Sequence, residues 1–495
     1  MNTATIHMPD VITKDLALGK CASGRRIVLS SNYLLGHGFL PDVRTEQVAS
    51  NDGIRITCNP NGATKIYKRS YKQRRANPTE AQVDLRNQTL INSVFPSYTE
   101  RAHIAISAGE IFMRPLPNLT FSIRETLKKA NSLEAFVAMT SGVDVHCLNS
   151  TGFNVSSVLE YRPNEKRDYN KKIGKWNDKT ESGALCVTAN STPRLLISQD
   201  VMRVDWQDVE KRLQDAPPVA LLHMSLQCDD FSNIKANSLK DRDINNLQTS
   251  MDMVFDAVDM VKTVRPGCIM LEQVPGFGKS DIGKAFAVRL RRLGYHITET
   301  VMEGREHGGL TLRKRYYLVA SLWPGFTAPA PEPVSTTAIW PIITPYLDGC
   351  RDVSHTRALA KGLETGRARI IDKSSAVSPT LLKSQSHDAS DNIVIFDGER
   401  YLMPSVELLQ CLQGIPDDFN LDVTSKDLAI EVIGQSVDYP MHHRLSQAVH
   451  EHLVQNIGAH TAVNISPEPS FHTPQASTIL MPKSGDLHTQ QAFLF

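Results

Sequence analysis

Short apolar runs between residues 133 and 323 constrain most strongly what this chain can fold into: "EAFVAM", "NVSSVLEY", "RLLISQ", "PVALLHMS", "CIMLEQV", "YHITETVM" and "RYYLVASLW". Each has the length and β-branched or aliphatic content of a largely buried strand. Helix-compatible stretches, notably 239–264 and 280–293, separate several of them. This alternation predicts an α/β chain on a doubly wound sheet, where chemistry gathers at the carboxyl ends of the strands.

The remainder of the chain obeys other rules. Residues 1–19 read as disordered. From "RRIVLSSNYLLGHGFL" to "GIRITCNP" short β runs are broken by Gly, Asn and Asp, which predicts a β-rich N-terminal domain over 1–125. Residues 24–60 of it resemble the small swapped-hairpin DNA-binding folds of bacterial transition regulators. In "TKIYKRSYKQRRANP", Lys65, Lys68, Arg69, Lys72, Arg74 and Arg75 alternate with Tyr67 and Tyr71. That stretch is either a solvated hairpin or a surface that neutralises phosphates and stacks on bases. After Trp323 a Pro-rich segment to about 395 interrupts the α/β pattern. "SVELLQCLQGI" and "RLSQAVHEHLVQNI" then read as helices within 396–457, and 458–495 as a disordered tail.

The formal charge of +1 names no partner. Eight cysteines without a CxxC pair argue against a zinc ribbon. The N-terminus lacks the layout of a signal peptide, and no apolar run approaches the ~20 residues needed to span a bilayer. A soluble, cytoplasmic monomer in a reducing compartment is expected, with no membrane and no metal. His442 and His443 fall outside any metal-ligand spacing.

One cysteine stands out by position. In "MSLQCDDFS" Cys228 follows a buried run and begins a small acidic turn. On position alone it is either a buried sulfur or an accessible nucleophile. Glu272 ends the run "CIML" on the same sheet edge. Arg313 and Arg315 enter the strand "RYYLVA" two residues apart, and period 2 sends both to one side. Glu160 ends the second run.

Read in order, "QCDDFS", "EQV", "TLRKR", "LQGIPDDF" and "GQSV" resemble the motifs of the DNA (cytosine-5) methyltransferases, over roughly residues 133–454. The resemblance implies a Rossmann-like S-adenosylmethionine-dependent methyltransferase sheet, 126–322, completed by 396–457, with an inserted target-recognition segment at 323–395. It implies methylation of cytosine C5 in DNA through a covalent Cys228 adduct on a flipped base, because C5 is a poor nucleophile until a thiolate adds at C6. Glu272 would hold the N3 and amino edge of the ring, and Arg313 and Arg315 the ring carbonyl side, a phosphate or the thiolate. S-adenosyl-L-methionine would lie over the first strand-end turn, where Gly142 allows close approach. Glu160 would accept from the ribose hydroxyls, Tyr161 stack on the adenine, and Asp200 accept from the adenine amino group with Val201 beside it. Gln435 and Val437 would close the pocket.

The departures fall around these groups. Gln227 stands for the family's proline, Asp229 for its glutamine, Gln273 for its asparagine and Thr311 for its glutamine, and the first turn lacks most glycines. Asp229 and Asp230 oppose thiolate formation unless they are paired or point away. Two other readings therefore stand beside the DNA enzyme. One is a non-catalytic DNA-binding relative; the other is an RNA cytosine-5 methyltransferase. DNA as partner implies association with the nucleoid. The terminal "QAFLF", Gln491 to Phe495, resembles the peptides by which bacterial DNA enzymes dock on the replication sliding clamp.

Overall fold

The computed structural model describes residues 7–71, 79–165, 168–231, 237–246 and 249–458. They form two compact units, one ending at Ser122 and the other beginning at Ile123. The tail 459–495, with Gln491–Phe495, lies outside the described residues, as do Lys72, Arg74 and Arg75.

In the first unit ten strands run in chain order: β1 (Val11–Ala17), β2 (Gly19–Cys21), β3 (Gly24–Ser31), β4 (Arg44–Ser50), β5 (Gly53–Cys58), β6 (Thr64–Lys65), β7 (Tyr67–Ser70), β8 (Thr79–Leu85), β9 (Arg101–Ser107) and β10 (Glu110–Pro115). They make a sheet ordered β1-β9-β10-β5-β4-β6 and another ordered β2-β3-β8-β7. Both orders are palindromes of a duplicated unit, β1 to β5 and β6 to β10. The register agrees. Ile54 faces Met113 and Ile56 faces Ile111, so exchanging Ile54 with Ile111 and Ile56 with Met113 returns the same ladder. Exchanging Ile27 with Val83 and Leu29 with Leu85 does the same for β3 and β8. Phe39 and Phe95, one in each half, are both fully buried. The first strand of each half pairs with the hairpin of the other, β1 with β9 and β6 with β4. Residues 11–17, expected to be disordered, are thus a strand. Their alternating burial brings Ile12 and Leu16 onto the core, but the partner strand is distant in sequence, so no local pattern announces the pairing.

The second unit is built on β11 (Glu134–Ala138), β12 (Asn154–Leu159), β15 (Leu195–Ile197), β16 (Val219–Ser225), β17 (Cys268–Gln273), β18 (His296–Glu303) and β19 (Lys314–Ser321), with a two-stranded hairpin β13 (Tyr169–Asn170) and β14 (Lys175–Trp176) between β12 and β15. The sheet order is β15-β12-β11-β16-β17-β19-β18, parallel from β15 to β17. β19 runs antiparallel between β17 and β18. No helix long enough for a crossover separates β18 from β19, which forces the reversal. The central strands are buried almost throughout, as two-sided cover requires. This is the doubly wound sheet expected from the sequence.

Beyond Trp323 a small sheet, ordered β20-β23-β22-β21, forms from β20 (Arg351–Asp352), β21 (Arg369–Ile371), β22 (Ile393–Phe396) and β23 (Tyr401–Met403). β22 straddles the boundary expected at 395, and β23 lies past it. The chain returns through helices Val406–Leu412, Lys426–Gln435 and Tyr439–Ile457. The last begins ahead of the run "RLSQAV", at an Asp438 cap followed by Tyr439 and Pro440. No helix among the described residues is long and apolar enough to cross a membrane.

Candidate active site

Three strand ends assemble the site. β16 runs fully buried to Met224 and releases the chain into the turn that carries Cys228. Gln273, at the end of β17, holds that turn. Its side-chain amide donates to the carbonyls of Leu226 (2.8 Å) and Gln227 (3.3 Å), and its own carbonyl accepts from Val274 N (2.7 Å). Asp230, buried, accepts from Thr249 and from the backbone and hydroxyl of Ser250. The residue in the asparagine position therefore works as a brace for the cysteine turn. Asp229 is directed elsewhere, 3.8 Å from Lys383 Nζ and bonded by Gln227 Nε2 at 2.7 Å.

Cys228 is half-buried. Burial pushes its thiol up, Arg315 and Arg313 pull it down, and Asp229 and Glu272 push it up; the balance is raised. Arg315, Glu272 and Arg313 thus all lie within electrostatic reach of this thiol. Arg315 Nε lies 2.6 Å from Glu272 Oε1, both largely buried. That pairing fixes the carboxylate on the sheet edge beside the sulfur.

Arg313 does something the sequence does not show. It is among the largest fully buried side chains and donates to the carbonyls of Leu381 (3.3 Å), Gly434 (3.2 Å) and Gln435 (3.1 Å). Burial, with Arg315 nearby, lowers it to about 9. One guanidinium therefore ties β19 to the small-sheet segment and to the end of the returning helix. Beside it, Thr311 donates to the buried Asp438 carboxylate at 2.6 Å. Gly304 and Gly309 lie where any Cβ would strike that carboxylate, at 2.3 and 2.4 Å.

Of the residues expected around the cofactor, Gly142, Glu160, Tyr161, Asp200 and Val201 lie beyond the ends of neighbouring strands β11, β12 and β15, and Gln435 and Val437 at the end of the helix Lys426–Gln435. Gly142 caps the helix Val143–Ser150 with φ +101°, a left-handed conformation that favours glycine. A Cβ there would also press on the backbone of Val187 at 3.3 Å. Glu160 is buried and accepts from the backbone amides of Thr140 and Tyr161; burial and the Asp144 charge push it well above the carboxylate range. Its carboxyl abuts Gly183, where a Cβ would lie 1.9 Å away. Asp200 spends one oxygen on capping Met202 N at 3.1 Å, and Val201 is buried beside it. Val437 joins Val143 in one apolar cluster, while the Gln435 side chain is exposed and its carbonyl holds Arg313. Tyr161 is half-buried.

Sequence reading passed over a buried polar pair beneath these turns. His223 Nδ1 lies 3.0 Å from the Met270 carbonyl, and Nε2 2.9 Å from Asp144 Oδ2. The carbonyl can only accept, so Nδ1 donates to it and Nε2 faces the carboxylate. A histidine in the otherwise apolar run "PVALLHMS" was the available signal. No cluster of metal-ligating side chains occurs among the described residues.

Residues 196–342, which carry Cys228, Glu272, Arg313 and Arg315, match the family described as C-5 cytosine-specific DNA methylase. The chain is similar to the type II methyltransferase M.MspI of Moraxella sp, 25% identical over 242 residues covering 47% of this chain and 56% of that protein. It is also similar to the type II methyltransferase M.BsuFI of Bacillus subtilis, 26% identical over 255 residues covering 48% and 60%. The matched region therefore spans little more than half of these relatives. Among solved structures, the S. pombe Dnmt2 methyltransferase superposes with a TM-score of 0.48 at 16% identity, covering 65% of this chain and 99% of that one.

Proposed function

We propose that this chain, which belongs to the C-5 cytosine-specific DNA methylases, methylates C5 of cytosine in DNA with S-adenosylmethionine as donor. The observation that carries this reading is the placing of Cys228 after β16, Glu272 at the end of β17 and Arg315 at the start of β19 on one edge of the sheet, with Arg315 locked to Glu272 at 2.6 Å. The three strand-end turns fit the donor molecule. Glu160, at the end of β12, offers a carboxyl to the hydroxyls of a ribose, and Asp200 keeps an oxygen beyond its capping bond. Gly142, Tyr161, Val201, Gln435 and Val437 complete the wall. When bound there, the donor supplies an electrophilic methyl group.

The protein's own part is covalent catalysis. The Cys228 thiol gives its proton to water and its sulfur adds to C6 of a cytosine taken out of the stack; N3 takes up a proton from water, and the Glu272 carboxylate accepts hydrogen bonds from the resulting N3–H and from the amino group. C5 becomes nucleophilic and takes the methyl group. Loss of the C5 proton to water, cleavage of the S–C6 bond and release of the N3 proton return the thiolate and leave a neutral methylated base. Gln273 and Asp230 hold the turn through which the sulfur approaches, and Lys383 draws the Asp229 charge aside. Bisulfite sequencing of DNA from cells expressing the protein is expected to show cytosines protected in one sequence context. A pattern identical to that of cells carrying an empty vector would overturn the assignment.

The N-terminal unit is proposed to contact DNA as well. Lys65, Tyr67, Lys68 and Arg69 are exposed on edge strands β6 and β7, with Arg69 5.1 Å over the Tyr71 ring. Replacing Lys65, Lys68 and Arg69 with alanine in the full chain should flatten the salt dependence of DNA binding by about 0.9 for each phosphate no longer neutralised. Equal slopes would remove this unit from the DNA surface.

A further inference from the structure

The hairpin β13–β14 interrupts the sheet directly after the cofactor-side residues Glu160 and Tyr161, and nothing in the chemistry above uses it. Its fold is locally determined. The Asn170 side chain accepts from Lys172 N at 3.0 Å, the Asn170 carbonyl accepts from Gly174 N at 2.9 Å, and Gly174 takes φ +67°. Lys171, Lys172 and Lys175 all face solvent. Between them Ile173 is 61% exposed, and Trp176 and Tyr169 are 52% and 39% exposed, their rings packed edge to face at 5.3 Å. Apolar side chains left this open on a turn carrying three ammonium groups are costly to solvate and serve no core.

The root of the hairpin is as ordered as its tip is exposed. Asp168, fully buried, receives Arg162 at 2.8 Å and the backbone of Glu165 at 2.8 Å, and Arg162 reaches on to Glu431 of the returning helix at 3.0 Å. Burial pushes the Asp168 carboxyl up, but the bonds from Arg162, Glu165 and Lys179 hold it below the ordinary range. Lys383 Nζ then lies 3.2 Å from Glu165 and 3.8 Å from Asp229, the residue after Cys228. One lysine side chain therefore spans from the hairpin root to the cysteine turn.

We infer that the Tyr169–Trp176 hairpin is a nucleic-acid contact at the rim of the site, with Lys171, Lys172 and Lys175 on phosphates and Trp176 against a base or sugar of the DNA strand. The inference rests on the reading of DNA as substrate. Charge favours it: three cations project from a turn without an acidic residue between Tyr169 and Trp176. An aromatic ring stacks on any base, so a contact of this kind holds the strand without reading sequence.

The test uses full-length protein and an end-labelled, mixed-sequence 30-bp DNA duplex, with affinity measured by fluorescence anisotropy over a range of salt. Replacing Lys171, Lys172 and Lys175 with alanine should weaken binding by about tenfold or more at moderate salt and lower the salt slope by about 2–3. Trp176→Ala should weaken binding about tenfold with the slope unchanged, and Trp176→Phe should stay close to wild type. S-adenosylmethionine binding by calorimetry should be the same in all variants. Affinities and slopes equal to wild type would overturn the inference, as would losses confined to an RNA duplex of the same sequence. Methyl transfer by the wild type is measured in parallel. Variants that bind and methylate as wild type sink the hairpin and leave the enzyme standing; weakened DNA affinity in a protein without methyl transfer does the reverse.

Discussion

Cys228→Ala is expected to remove methyl transfer, by about 10⁴-fold or more on the scale seen when an enzyme loses its nucleophile, while leaving DNA and cofactor affinity within a few-fold of wild type. The turn should survive the change because its geometry does not depend on the sulfur: Gln273 and Asp230 hold it from either side. The wild-type rate should also depend on pH with a defined sign. Burial raises the thiol, and the two arginines pull it back only in part. Near neutrality the sulfur is therefore mostly protonated, and single-turnover rates should climb with pH until the thiolate is formed. Residual methylation by Cys228→Ala near the wild-type rate would exclude the covalent route. A flat pH profile would show instead that bound DNA or cofactor resets the thiol.

What could be read in the sequence divides by range. The strands β11 to β19 and the place of Cys228 and Glu272 at strand ends follow from local patterns, because a strand buried on both faces has to be a short continuous apolar run. Period 2 predicts Arg313 and Arg315 on one side, but Arg313 stands just ahead of β19 and turns to the carbonyls of Leu381, Gly434 and Gln435, while Arg315 pairs with Glu272. Features set by distant partners were hidden. The pairing of β1 with β9 rests on a hairpin far along the chain, and the two halves of the N-terminal unit share burial rather than residues. Gln273 looked like a departure from a family pattern until the carbonyls of Leu226 and Gln227 appeared beneath its amide. Asp229 looked hostile to a thiolate; Lys383, far along the chain, answers for part of that charge. A motif names which residues matter, and only the fold shows which of them hold the substrate and which hold one another.

Arg313 is the sharpest case, and its replacement should have the largest effect on the fold. Three backbone carbonyls from two separate segments point at one buried guanidinium. Arg313→Met keeps much of the volume but offers no donor, so those carbonyls lose a charged partner, the Leu381 and Gly434 bonds being buried and the Gln435 bond partly so. The expected loss of stability is about 3 kcal/mol, the range for breaking a buried, hydrogen-bonded charged group. Relief of the buried charge, which lowers Arg313 to about 9, returns part of the cost. Because the chain has two units, the loss belongs to the second and is best followed by hydrogen exchange rather than by a single global midpoint. Amides around residues 381–383 and 434–437 should exchange faster in Arg313→Met. Arg315→Met, which removes the partner of Glu272 and none of those three bonds, should leave the same amides protected while still lowering the methylation rate. Equal protection in wild type and Arg313→Met would mean that the clamp is not what seats the returning helix. Arg313 would then be free to serve the substrate, as its place in the motif suggests.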